Sequence, residues 1–157
     1  MTPGTWVRQR GDGRREKGAA AVEFALICVL FLTLLLGMIQ YSMYFLSTQS
    51  SAAAAREAAR RAAVGDQTCV AMQAAAANNV RLASGAVTAK RAYYRAADTG
   101  FTTPVTTVVG GDNVKVTISY NSVDMKFPFV PFVTDGAVVS SAFARVENPT
   151  SNTVPCS

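Results

Sequence analysis

The pattern of apolar and polar positions divides the chain into two unlike parts. From Phe24 to Ile39 there is no charge and no strongly polar residue except Thr33, and the run continues through Tyr41, Met43, Tyr44, Phe45 and Leu46. A helix over those roughly 23 residues spans about 34 Å, enough for the hydrocarbon core of a bilayer with some tilt. Residues 47–64 contain few helix breakers, and Ala52 to Ala63 is rich in the best helix former, so the helix is predicted to continue outward to a stop at Gly65. Glu57 stands four residues before Arg61, the favourable order for a helical ion pair. The alanine face of this extension fits packing on the chain's own domain or close approach of other helices, and Thr33 with Gly37 makes a small-xxx-small pair lower down.

Beyond Gly65 the period changes. Cys69 to Ala83 reads as a second, shorter alanine-rich helix, and Ala86 to Arg95 as a strand with imperfect alternation. Val105–Val109 and Val114–Tyr120, separated by the turn cluster at 110–113, predict a hairpin. Val114, Val116, Ile118 and Tyr120 alternate with Lys115, Thr117 and Ser119, as in a sheet covered on one face. The prolines at 128 and 131 bar a central strand from the Phe127–Phe132 run, whose phenylalanines serve either as core anchors, the favoured reading, or as a contact surface. Ala137 to Val146 is a final strand, followed by a loose tail that Cys156 can tie down. The expected class is α+β: a long membrane-spanning helix, a short helix and a small antiparallel sheet of three to four strands. The corresponding segments are a basic leader at 1–18, the transmembrane helix at 19–46, its outward extension at 47–64 and an extracytoplasmic domain at 65–157.

Charge sets the orientation. The net charge is +5, but Arg8, Arg10, Arg14, Arg15 and Lys17 against Asp12 and Glu16 supply most of it before Gly18. The nearest basic residues after the span are Arg56, Arg60 and Arg61, so the positive-inside rule predicts a cytoplasmic N-terminus and an external C-terminal domain. A cleavable secretory signal is the competing reading, and the apolar stretch is long for one. Past Gly18, 10 basic residues face 8 acidic ones with no dense block, so nucleic-acid binding is not expected. Of the three cysteines, Cys28 lies in the apolar run, while Cys69 and Cys156 flank the domain and either pair in an oxidising compartment or stay as free thiols.

The chain has no histidine, no phosphate-binding loop and no Cys-x-x-Cys pair, so neither catalysis nor a metal or other cofactor is expected. Arg10-Gly11-Asp12 is a chance tripeptide in the leader. The residue that stands out is Glu23, an acid at the threshold of the membrane run. A carboxylate at the bilayer centre costs about 2.5 to 3.5 kcal/mol, and less near the interface. Glu23 is therefore either a functional group or a headgroup-level acid that supports the helix N-terminus.

The stretch Gly18-Ala-Ala-Ala-Val-Glu23-Phe24-Ala-Leu, with Gly37 and the Ala-Arg-Glu-Ala-Ala-Arg-Arg-Ala-Ala at 55–63, resembles the TadE-like family, minor pilins or pseudopilins of the tight-adherence (Flp) pilus system. Phe-Ala-Arg-Val-Glu, ending at Glu147, is similar to the terminal strand of that family. The resemblance covers about a third of the chain. It implies cleavage between Gly18 and Ala19 by a prepilin peptidase, leaving a new amine that is often methylated in the wider pilin family. It also implies that Glu23, followed by the aromatic Phe24, pairs with the N-terminal amine of a neighbouring pilin or pseudopilin subunit. The expected function is then a pilin-like component acting in pilus assembly, priming or adhesion, as a homo- or hetero-oligomer in the cytoplasmic membrane or the pilus. The alternative is a signal-anchored adhesin or sensor that never enters a filament.

Overall fold

The computed structural model describes residues 13–127 and 136–156, with side chains from Gly18 onward. Helix α1 runs unbroken over Gly13–Ala63, 51 residues, or about 77 Å. Its character changes at Gln40. Below that point Val22, Phe24, Leu26, Ile27, Leu30, Phe31, Leu34 and Met38 are exposed all round the helix, and its most apolar window has mean hydropathy 2.6 with none of its residues buried. Above it, Gln40, Ser47, Ser51, Ala54, Ala55, Ala58, Ala59, Ala62 and Ala63 are buried. Their three- and four-residue spacing puts them on one stripe. Alanine and serine keep that stripe thin, so the sheet approaches the helix axis closely. Packing on its own domain is thus the use made of the alanine face.

The helix stops as expected. Gly65 takes φ +67, and Asp66 N–H donates to Arg61 O at 3.2 Å, closing the last turn on a left-handed residue. A Cβ at Gly65 would fall onto the Thr150 side chain. Glu57 receives hydrogen bonds from Arg60 and from Arg61, at 2.9 Å and 2.7 Å respectively. Those two bonds, Arg60's first, bring its carboxyl down to about 2.

Helix α2 is Cys69–Asn79, capped by Thr68, whose hydroxyl accepts from Ala71 N–H at 3.2 Å. It ends four residues earlier than the alanine content suggests. Val80 is already extended and Leu82 takes φ 58, which turns the chain into the sheet.

Strands β1 (Ala83–Tyr94), β2 (Pro104–Val105), β3 (Asn113–Ser122) and β4 (Ala137–Arg145) form one sheet in the order β2-β1-β3-β4, antiparallel throughout. The α+β class and a sheet of four strands are as expected. The hairpin between 105–109 and 114–120 is not formed. Both edges of β3 are taken, by β1 on one side and β4 on the other, and Val105 pairs instead with Tyr93 on the far edge of β1. The turn cluster is real but closes elsewhere: Asp112 N–H donates to Val109 O, and Gly111 N–H to Val146 O at 2.8 Å.

The core lies between α1, α2 and the inner sheet face, where Val114, Val116, Ile118, Tyr120, Tyr93 and Met72 are buried. The C-terminal tail is not loose. Cys156 exchanges backbone hydrogen bonds with Arg91, extending the β1 edge beyond β2. Of the Phe127–Phe132 run only Phe127 falls within the described residues, and it is half-buried.

Candidate functional site

The predicted site residues occupy two separate places. Gly18, Ala19, Glu23 and Phe24 lie on the bare lower part of α1, all exposed. Ala19 and Glu23 stand one helical turn apart on one face, and a Cβ at Gly18 would meet nothing within 4 Å. Among the described residues no hydrogen bond or ion pair reaches Glu23. A carboxylate at the end of a bare apolar helix is costly in lipid unless it meets a cation or sits at the interface.

Cys69 and Cys156 sit at the far side of the domain, bonded to one another, with Cα atoms 5.7 Å apart. Next to them is Arg91, which sequence reasoning did not single out. Its side chain is 1% exposed. Its guanidinium donates to the backbone carbonyls of Gln67 at 2.8 Å, Asn152 at 2.8 Å and Val154 at 2.9 Å. No carboxylate takes part; three carbonyl dipoles hold the charge, and burial pulls its pKa below the ordinary arginine value. Arg91 thereby joins the α1–α2 connection to the tail, across the bridge that the disulfide makes covalently.

Tyr93 lies two residues along the same strand face, its ring 5.7 Å from the Arg91 guanidinium carbon. It is fully buried, and its hydroxyl has no partner among the described residues. Burial raises the phenol above its ordinary value, with the Arg91 charge opposing. A folded pKa above the unfolded one leaves stability intact below about pH 10 and erodes it above, because the unfolded chain releases the proton first. Denaturation midpoints are expected to fall more steeply above pH 10 in the native chain than in Tyr93→Phe, by at most about 1.4 kcal/mol per pH unit. Identical alkaline limbs for the two proteins would contradict this.

Between these places, a ladder of polar contacts fastens the sheet to α1. Gln40 Nε2 donates to Val123 O and Gln40 Oε1 accepts from Met125 N–H, both at 3.2 Å. Tyr44 OH donates to Ala137 O at 3.4 Å. Ser47 Oγ pairs with Tyr120 OH at 2.8 Å and Ser51 Oγ with Ser140 Oγ at 2.5 Å. Gln40 and Tyr44 fall inside the 19–46 segment that hydropathy assigns to the membrane, so the domain begins to grip the helix there and the bare part is Gly18–Ile39. The signal was in the sequence: Gln40 is the one amide in the long apolar run.

This is the geometry of a single-helix membrane anchor carrying a small α+β domain. Residues 18–60 match the family model described as TadE-like protein. No curated protein and no solved structure matches the chain. The family match bears out the TadE-like reading of the N-terminal helix, starting at Gly18 and including Glu23 and Phe24. It points to a pilus-associated, membrane-anchored protein, while the sheet lies outside the matched segment.

Proposed function

We propose that the protein is a minor pilin or pseudopilin of a tight-adherence pilus, acting in its assembly or priming or in adhesion. In this reading a prepilin peptidase cleaves after Gly18, Ala19 becomes the mature N-terminus, and Glu23 pairs with the amine of a neighbouring subunit as helices pack side by side. The single observation that carries it is Glu23. It stands at the fifth place after Gly18, exposed on a bare apolar helix with no mate among the described residues, inside the TadE-like match. The basic leader supports a cytoplasmic N-terminus, and a disulfide-bonded domain suits an oxidising exterior. A binding rather than enzymatic role is supported by the lack of histidine.

The test is the mass of the mature chain together with a Glu23 variant. In cells with an active prepilin peptidase the isolated protein should begin at Ala19. Glu23→Ala should insert normally yet co-purify with other pilus subunits at least about tenfold less, the equivalent of roughly 1.4 kcal/mol or more of lost pairing. An intact Met1 with undiminished Glu23→Ala assembly would overturn the proposal and leave the signal-anchored binding module as the better reading.

A further inference from the structure

The polar ladder between α1 and the sheet also works as a ruler. From Gln40 to Ser47 the helix rises about 10.5 Å, and their partners Val123 and Tyr120 are about 10 Å apart in an extended chain. The strands therefore run alongside the helix axis, and among the described residues, 122–127 lie at the end of the domain nearest the bare helix. Val123 N–H donates to Leu82 O at 3.0 Å, while Arg81 N–H donates to Ser50 Oγ at 3.0 Å, about 15 Å further up the helix than Gln40, so the entry to β1 rises away from this end. The bare helix from Gly18 to Ile39 is about 33 Å long, close to one hydrocarbon thickness of about 30 Å. When that helix fills the bilayer, the Gln40 level falls in the outer headgroup layer.

What the domain presents at that level mixes apolar with polar side chains. Met125 is 45% exposed, Phe127 and Val123 are half-buried, and Asn121, Asp124 and Lys126 are exposed. On the helix itself Tyr41, 42% exposed, follows Gln40 at the same height. Asp124 and Lys126 bring opposite charges to this end of the domain. Leu82 and Lys126 are two of the three described non-glycine residues with left-handed backbone, at φ 58 and φ 50. Such conformations are unfavourable for side-chain-bearing residues and persist where the surrounding contacts fix them.

We propose that this rim, Val123, Met125 and Phe127 with Tyr41 of the helix, is a lipid-contact surface that seats the domain on the outer headgroup–acyl boundary. It lies at the level where the bare helix ends, since Gln40 holds the Val123 and Met125 backbone. An apolar rim in water would carry a hydration cost, which shallow insertion removes. Seating fixes the height and tilt of the domain relative to the membrane. The inference rests on the proposed membrane anchoring.

The test uses the full chain, disulfide intact, with Cys28→Ser, reconstituted in vesicles of phosphatidylcholine and phosphatidylglycerol. Single cysteines from Met125→Cys, Leu30→Cys and Asn148→Cys carry an environment-sensitive fluorophore, read by lipids spin-labelled at shallow or deep acyl positions and by aqueous iodide. Asn148 follows Glu147, whose N–H donates to Ala63 O, about 35 Å further up the helix than Gln40. The Leu30 label should be quenched by the deep probe. The Met125 label should be quenched several-fold more by the shallow probe than the Asn148 label, and shielded from iodide. If the Leu30 label is quenched while Met125 is as iodide-accessible as Asn148, the domain stands clear of the bilayer and the seating is wrong. If Met125 is shielded from both lipid and iodide, protein covers the rim, and the seating is equally overturned. Absence of quenching at Leu30 overturns the anchor itself, and the seating with it.

Discussion

Opening the Cys69–Cys156 bond is expected to remove about 4 to 5 kcal/mol of folding stability in the chain-entropy model. The bond joins residues 87 apart, and closure entropy grows with the length of chain tied. The loss weighs heavily because the core is built from small side chains: the six buried alanines of α1 each bury far less apolar surface than a leucine. Alanine lets the sheet lie close to the helix, at the cost of apolar area, and the crosslink offsets that. The first region to respond should be the tail, which among the described residues is attached to the β1 backbone by the Arg91–Cys156 pair. Urea denaturation of the detergent-solubilised chain, oxidised against Cys69→Ser, measures the total. Hydrogen exchange at the Cys156 and Thr153 amides locates it. A stability change below about 1 kcal/mol would mean the loop-closure account does not apply.

The parts legible in the sequence are those set by local pattern. The apolar run specifies the helix, Gly65 its stop, and the Val114–Tyr120 alternation the buried face of β3, because each depends only on neighbours along the chain. Pairing partners do not. Val105–Val109 and Val114–Tyr120 carry every mark of a hairpin, yet the twelve-residue β1 covers β3 over nearly its whole length and leaves no edge for the upstream run. Gln40 shows the same limit in the membrane segment. Hydropathy averages over one amide, whereas the fold uses that amide to hold two backbone groups at the Val123–Met125 turn. For Glu23 the position was plain from the sequence, whereas no local pattern along the chain sets a partner for it. Arg91 was invisible, since an arginine in a strand looks like a solvent-facing charge until the three carbonyls around it are known.

Replacing that arginine gives the second large effect. Arg91→Met keeps the length of the stem and removes five donors, so the carbonyls of Gln67, Asn152 and Val154 lose their partner together. Two contributions oppose each other. Removing a buried cation without a counter-charge recovers its desolvation cost, which taken alone favours methionine. Against this stand three charge-assisted hydrogen bonds, about 1.5 to 3 kcal/mol each, and a buried Gln67 carbonyl left unpaired, while Asn152 O keeps the Val154 N–H at 2.9 Å. The second should win, with a net loss of about 3 kcal/mol, because the three bonds go together and the Gln67 carbonyl is buried. Arg91→Lys should fall between, since an ammonium keeps the charge but lacks the planar fork that reaches three acceptors. The readout that separates this from simple loss of packing is local. In Arg91→Met the Cys156 amide should exchange much faster while the disulfide stays intact, and the β3 amides, bonded on both sides, should change only as global stability does. Unchanged exchange in the tail, or a methionine variant as stable as the native chain, would show that the carbonyl cage does not hold the tail.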